Sequence, residues 1–521
     1  MSAFTTTASA PPHRAELHRG LITVSIMLAT IMQALDTTIA NVALPYMQGS
    51  LSAAQDQIAW VLTSYIVAAA IATPMTGWLV GRFGRKRVFL IAVAGFTVAS
   101  MLCGIAATLS QMVLFRLMQG VFGAALVPLS QSVLLDINPP QKHGSAMAIW
   151  GAGIMVGPIM GPTLGGWLTD AYNWRWVFYI NLPIGILAFL GILLFVHETE
   201  RDTKRSFDLF GFAMLSLAVG SLQMLLDRGE QKDWFGSPEI VIEAALALVG
   251  LWVFIVHTAT AERPFFHLAL FRDRNFVGGV VLMFLSSAVM YATLALLPEM
   301  LTLLNYPVTT TGFVISPRGF STMLGMIVVG RILGRMDIRL ILGIGFAVTG
   351  FSLWQMTAYS PEMDWRPIVI AGITQGLGLG FVFVPLSTVA FSTLSPHVRT
   401  EGTAVFSLLR NIGGSIGISI SETLFDQHVQ ANHASLAEAL TPFNRVMSWA
   451  DPLHMWSLDS VSGMMQLDQI VNFQAAMIAY LDDFKLMMIV CLLALPLVLL
   501  LQPTHRRPIQ QGDTPTAAAL D

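Results

Sequence analysis

Charge is the scarcest commodity in this chain. Only 11% of its 521 residues are Asp, Glu, Lys or Arg, against about 25% in ordinary soluble domains, while 55% are hydrophobic and the mean hydropathy is +0.67. That balance excludes an ordinary water-soluble globule. A net charge of -3 gives no sign of nucleic acid or of a strongly acidic partner. Cysteine is nearly missing: Cys103 and Cys491 both sit in apolar runs, which argues against a disulfide framework or a cysteine metal site. No Gly-Lys dipeptide occurs, so the phosphate-binding loop of an ATP-driven pump is excluded. No His-Glu-x-x-His metal pair and no paired catalytic carboxylates within an apolar run are present, so the chain reads as neither an enzyme nor a metalloprotein, and no cofactor is expected. Residues 1–20 are polar, with Pro11, Pro12, Arg14 and Arg19. They lack the short apolar core and small-residue cleavage site of a signal peptide, and are expected to be a disordered cytoplasmic tail.

What is present in excess is apolar sequence of membrane-crossing length. Fourteen runs approach the ~20 residues needed to span a bilayer: 21–44, 58–80, 88–108, 112–135, 146–168, 176–196, 209–226, 240–258, 276–298, 310–330, 338–358, 367–391, 403–424 and 485–502. The seventh, eighth and fourteenth are the shortest. Positive charge orients the set. With the N-terminus inside, only Arg175, Arg228, Lys232, Arg366, Arg445 and Lys485 of the 28 Lys and Arg residues fall outside, and Arg116, Arg318 and Arg410 fall within spans. The rest lie inside, most densely at Arg82, Arg85, Lys86 and Arg87. This asymmetry predicts both termini in the cytoplasm.

The chain also repeats itself. Gln119-Gly120, Pro128-Leu129-Ser130 and Pro139 return as Gln375-Gly376, Pro385-Leu386-Ser387 and Pro396, and the constant offset from Pro128 onward also carries Gly157 onto Gly414. Two bundles of common descent with a substrate path between them would give this pattern. The expected fold is therefore an all-α polytopic membrane protein: a six-helix bundle at 21–200, two additional spans at 201–260, a second six-helix bundle at 261–502, and a cytoplasmic tail at 503–521. Between spans thirteen and fourteen lies a polar segment, 425–484, with Trp449, Trp456, His428, His433 and His454 among its acids. It is too long for a simple connection and is expected to be an external cap or docking surface.

Gly153, Gly157, Gly161 and Gly165 recur at every fourth position of one run, with Pro158 and Pro162 between them. That spacing lines one helix face with glycine and leaves a flat groove for a second helix. Two prolines are tolerable in a membrane helix because neighbours and cavity water satisfy the freed carbonyls. The segment reads as a packing and bending element of a bundle that moves.

Charge inside the membrane marks candidate chemistry, since an acid at the bilayer centre costs at least ~2.5–3.5 kcal/mol on insertion scales. Asp36 is the clearest case, and Arg116 enters the fourth span at a similar depth from the outer side. The two can pair, and a pair whose separation changes as the bundles rock can take up and release a proton; the plainer alternative is a static salt bridge at an outer gate. Gln33, Thr37, Asn41, Gln119, Gln131 and Asn181 are candidates for lining a substrate cavity, or for bonding helix to helix. Arg318 and Arg410 either face such a cavity or snorkel to the surface.

Several stretches together resemble the major facilitator superfamily, and within it the fourteen-span drug:proton antiporters. Leu35-Asp36-Thr37 with Asn41 and Ala43-Leu44-Pro45 looks like that family's first-helix motif, and Leu114-Phe115-Arg116 with Gln119-Gly120 resembles its proton-linked fourth-helix motif. The glycine lattice resembles its helix-five antiporter motif, more typical of exporters than of uptake symporters. Trp174-Arg175-Trp176 with Asn181-Leu182-Pro183, and Leu226-Asp227-Arg228-Gly229 with Asp233-Trp234-Phe235, look like the inner-membrane subunits of EmrB-type tripartite pumps. The resemblance implies a proton-driven exporter of hydrophobic or amphipathic drugs, with Asp36 and Arg116 coupling protons and a periplasmic adaptor and outer-membrane channel as partners. A proton symporter and a non-transporting receptor or scaffold are the rival readings. Gly77, Arg82, Gly84, Arg85 and Lys86 match the superfamily's cytoplasmic gate loop, but Gly81 stands where that loop usually has an acid, which puts the usual inner latch in doubt.

Overall fold

The computed structural model describes residues 12–199, 201, 206–441 and 460–502. Among these the chain is helical, with no β-structure beyond an isolated bridge between Leu333 and Met336. Helix satisfies every backbone group within its own segment, which hydrocarbon demands. The N-terminal half comprises α1 (Pro12–Ser50), α2 (Trp60–Ala72), α3 (Met75–Phe83), α4 (Arg85–Ile105), α5 (Leu109–Gly123), α6 (Leu126–Ile137), α7 (His143–Ile154), α8 (Val156–Ala171) and α9 (Asn181–Phe195). Helices α10 (Leu209–Arg228) and α11 (Pro238–Thr260) follow. The C-terminal half comprises α12 (Arg274–Leu303), α13 (Val308–Ile332), α14 (Ile338–Met356), α15 (Trp365–Ser392), α16 (Pro396–Glu438) and α17 (Val461–Val498).

Three of the breaks have a local cause. Pro74, Pro128 and Pro158 each lack the N–H that would bond the carbonyl four residues back. The chain accordingly interrupts at α2–α3, α5–α6 and α7–α8, with a bend of 56° at the first.

Twelve helical stretches among the described residues are long and apolar enough to cross a membrane, or thirteen if α2 and α3 form one bent span. The expected count of fourteen is not confirmed. The stretch in question is the end of α17, where Asp482, Asp483 and Lys485 stand directly before Leu486–Val498.

The two halves repeat one packing plan. In the first, α1 packs on α8 and α9, while α5 packs on α2 and α4. In the second, α12 packs on α16 and α17, while α15 packs on α13 and α14. Helices α10 and α11 pack on each other, and α10 lies against α2 and touches α16, where Gln223 Nε2 donates to Ser415 Oγ at 2.9 Å.

The polar segment at 425–484 is helical in its described parts. Helix α16 has 43 residues and α17 has 38, lengths of roughly 64 and 57 Å. Each continues far past what a bilayer requires, and the two pack along each other. The Phe425 and Tyr480 rings lie 4.4 Å apart, and His433 Nε2 stands 3.0 Å from Asp468 Oδ1. Trp449, His454 and Trp456 lie outside the described residues.

Candidate functional site

Asp36, from α1, is completely buried, and Arg116, from α5, is 1% exposed. Arg116 Nη1 donates to Asp36 Oδ2 at 2.7 Å. The other carboxylate oxygen accepts from Gln119 Nε2 at 2.8 Å and from Asn181 Nδ2 at 2.9 Å. Arg116 serves further acceptors, Val61 O through Nε at 3.0 Å and Gln119 Oε1 through Nη1 at 2.9 Å. Its guanidinium lies 4.4 Å from the Tyr65 ring centre, a cation–π contact. Ser100 Oγ receives Asn181 Nδ2 at 2.9 Å and donates to Phe178 O at 2.9 Å, and Gln33 Nε2 donates to Tyr65 OH at 3.2 Å. Five helices, α1, α2, α4, α5 and α9, and the short turn at Trp176–Tyr179 thus build one buried ion pair whose carboxylate is held by three donors. A buried pair of this kind is tolerable only because both partners are hydrogen-bonded.

Of the other candidates, Gln33, Gln119 and Asn181 belong to this network. Thr37 bonds back to its own helix at Ala34 O. Asn41 is exposed on α1. Gln131 is fully buried, with neither side-chain polar atom partnered. Arg410, on α16, is partly buried, and its Nε has no partner. Tyr65 and Ser100 could not be singled out from the sequence, because an aromatic or a serine in an apolar run carries no mark of its neighbours.

The glycine stripe faces α1. A side chain on Gly153 would meet Met27; one on Gly157 would reach the Ala34 carbonyl at 2.5 Å; Gly161 meets Thr38 and Gly165 meets Ile39. Thr38 Oγ1 also donates to Gly157 O at 3.1 Å. Helix α8 is therefore clamped backbone to backbone on the helix that carries Asp36. Pro158 marks the break before α8, and Pro162 lies within it.

At the end bearing the basic loop, Arg85 Nη2 meets Asp136 Oδ2 at 2.5 Å, and Arg399 of the other half meets Asp136 Oδ1. Ser132 and Thr400 hydroxyls lie 2.9 Å apart, Thr403 Oγ1 donates to Pro128 O at 3.2 Å, and Ser145 Oγ to Gly330 O at 2.8 Å. The halves are joined here. Gly77 packs on Glu401, whose Oε2 lies 2.8 Å from His267 Nδ1. Lys86 N donates to Glu198 Oε1 at 3.0 Å. Arg82 ends α3, and Gly84 beyond it has φ +91, a conformation that favours glycine. Gly334, in the corresponding stretch of the second half, has φ +96. A side chain at Gly81 would meet nothing within 4 Å. Asp136, near the end of α6, and Glu198, just beyond α9, supply acids to the loop.

Comparison with known proteins agrees with this architecture. A family model described as Major Facilitator Superfamily matches residues 26–418. The Multidrug export protein EmrB of Haemophilus influenzae is 36% identical over 470 residues, covering 89% of this chain and 92% of that protein. The Fatty acid resistance protein FarB of Neisseria gonorrhoeae is 37% identical over 430 residues, covering 82% of this chain and 84% of its own length. Among solved structures, the human organic anion transporter MFSD10 (TETRAN) superposes with a TM-score of 0.58 at 13% identity, covering 92% of this chain and 100% of that one; at that identity the likeness concerns the fold alone. A family match across most of the chain, the repeated packing of its two halves and relatives above 30% identity lead to one assignment: the chain belongs to the major facilitator superfamily.

Proposed function

We propose that this protein is a proton-driven exporter of hydrophobic and amphipathic compounds. The observation that carries the reading is the buried Asp36–Arg116 pair, a single intramembrane acid at the meeting point of α1, α4, α5 and α9. Such an acid is functional by default. Protonation removes the charge that Arg116, Gln119 and Asn181 bond, so it loosens α1 from α5 and α9. Helix α1 is in turn clamped to the glycine stripe of α8, and the movement of one carries the other. The names of the relatives, multidrug export and fatty acid resistance, support drug-like and amphipathic substrates.

The basic loop supports a cytoplasmic location for the joined end, with both termini on that side of the inner membrane. The paired extensions of α16 and α17 then project from the opposite face, where a periplasmic adaptor leading to an outer-membrane channel would dock. The deciding experiment uses everted vesicles carrying the full chain. Addition of a substrate should collapse part of an imposed pH gradient, and Asp36→Asn should abolish that response. A gradient response that survives the substitution removes Asp36 from the coupling.

A further inference from the structure

The second half contains a counterpart of the Asp36 site in which the cation is kept and the acid is missing. The register between them is fixed by contacts. In α5, Arg116 stands four residues before Gly120, and Gln119 one before; in α15 the same places hold Gly372, Gln375 and Gly376. Gly120 packs on the Tyr65 carbonyl of α2, and Gly376 packs on the Arg318 carbonyl of α13. Gln119 Nε2 bonds Asp36 of α1; Gln375 Nε2 bonds Thr293 Oγ1 of α12 at 3.2 Å. Thr293 therefore stands where Asp36 stands. Gly372 leaves open the place of Arg116, and a guanidinium enters instead from α13: a Cβ on Gly372 would lie 3.6 Å from that of Arg318.

Arg318 is 6% exposed. Its Nη2 donates to Met290 O at 3.1 Å, while its Nη1 is buried without a partner. No carboxylate among the described residues bonds it. Asp483, another buried acid of this half, faces His428 at 3.7 Å. Gln375 Oε1 and the buried hydroxyl of Tyr359 are also without partners. Gly319, the next residue, packs on Ile159 of the first half, which puts Arg318 beside the seam that parts when the halves rock.

A buried guanidinium without a counter-ion carries a penalty that its fold must offset. It is also the group best shaped to grip a planar carboxylate. We infer that Arg318, with Thr293 and Gln375 beside it, is the anchor for the carboxylate of amphipathic organic anions carried by this protein. The inference rests on the exporter reading and adds to it a substrate class and a residue. In the first half the guanidinium is neutralised by the protein's own acid; in the second the cargo supplies the negative charge.

The test is equilibrium binding to the purified full-length chain in phosphatidylcholine nanodiscs at one pH. The probes are 2-naphthoate, its neutral analogue 2-naphthamide, and acetate. Wild type should bind 2-naphthoate roughly tenfold or more tightly than 2-naphthamide, as expected for loss of a charged hydrogen bond, and acetate weakly for want of apolar surface. Arg318→Gln should reduce 2-naphthoate affinity to that of the amide, and Arg318→Lys should restore part of it. Thermal unfolding of both variants checks that they are folded; 2-naphthoate should raise the Tm of wild type and not that of Arg318→Gln. Equal binding of acid and amide, or 2-naphthoate binding untouched in Arg318→Gln, overturns the proposal. So does loss of wild-type binding when phosphatidylglycerol is added to the discs, because the anion held there would then be a lipid headgroup. No pH gradient is present, so binding at Arg318 can stand even if the chain pumps nothing. Conversely, a chain that exports other compounds and ignores Arg318 in this assay loses the anion site and keeps the exporter reading.

Discussion

Arg116 meets Asp36 through a single nitrogen, Nη1 to Oδ2 at 2.7 Å, and spends Nε on the Val61 carbonyl. The contact is a junction of three helices rather than a two-pronged fork. Removing the charge from Asp36 leaves Arg116 buried without its counter-ion, a situation that typically costs about 3–5 kcal/mol. Asp36→Asn is therefore expected to insert, to unfold at a lower temperature, and to lose proton-coupled export. Pairing it with Arg116→Gln should recover much of the stability and none of the transport. The thermal shift and the vesicle assay together separate the two effects. Full pH-driven efflux in the single variant would show that Asp36 is only structural.

Arg116→Lys keeps the charge and still should fail. A lysine ammonium has no planar array to reach Val61 O, Gln119 Oε1 and Asp36 at once, and it loses the stacking on Tyr65. The lost charged hydrogen bonds correspond to about 1.5–3 kcal/mol each. Initial efflux rates in vesicles should fall about tenfold or more. A lysine variant with normal rates would mean that a point charge suffices.

Gly157→Leu drives a side chain into the Ala34 carbonyl, which cannot turn away. Overpacking of this kind costs roughly 1–3 kcal/mol, small enough for the protein to be made and inserted. Transport should suffer more than expression, because α1 and α8 are forced apart beside Asp36. A Leu at Gly166, where nothing lies within 4 Å, should be tolerated. Equal effects at the two positions would remove the special role of the stripe.

The joint at the basic end predicts a change in cross-linking. Asp136 holds Arg85 of its own half and Arg399 of the other, so Asp136→Ala leaves two arginines facing each other. Cysteines placed at Ser132 and Thr400, whose hydroxyls are 2.9 Å apart, should cross-link readily in the wild-type background and several-fold less in Asp136→Ala. Unchanged cross-linking would show that the joint does not depend on this acid.

Much of this was legible because the membrane simplifies the code. Depth along a span is residue count times rise, so the matched depths of Asp36 and Arg116 are enough to show that the two can pair. A period of four glycines implied a close helix contact and left only its partner open, which the structure identifies as α1. Asp136 and Arg399 are 263 residues apart, and each sits at an ordinary polar helix end, so no local pattern connects them. The site around Arg318 was hidden for a different reason. The repeat keeps Gln375 and Gly376 but moves the arginine from one helix to another, and only the contacts of Gly372 show that the same space is served. Hydropathy alone left residues 425–438 and 460–484 as a polar segment, because a helix that continues beyond a bilayer's thickness becomes polar just as a loop does.

The projecting part of α16 and α17 gives the last prediction. The two helices are held to each other by Phe425 on Tyr480 and His433 on Asp468, and they extend well beyond the reach of a bilayer. A long helical pair is an expensive way to join two spans, and a rigid platform is what a docking partner needs. Shortening both helices by matched turns, with the cut between His433 and Glu438 on one and between Val461 and Asp468 on the other, keeps the Phe425–Tyr480 contact. Such a variant, reconstituted alone in liposomes, should transport at close to the wild-type rate. In cells that contain the proposed periplasmic adaptor it should confer little drug resistance, and it should no longer co-purify with that adaptor. If resistance and transport both remain, the platform has no docking role. If both collapse while the protein still unfolds cooperatively at the wild-type temperature, the pair belongs to the transport cycle itself.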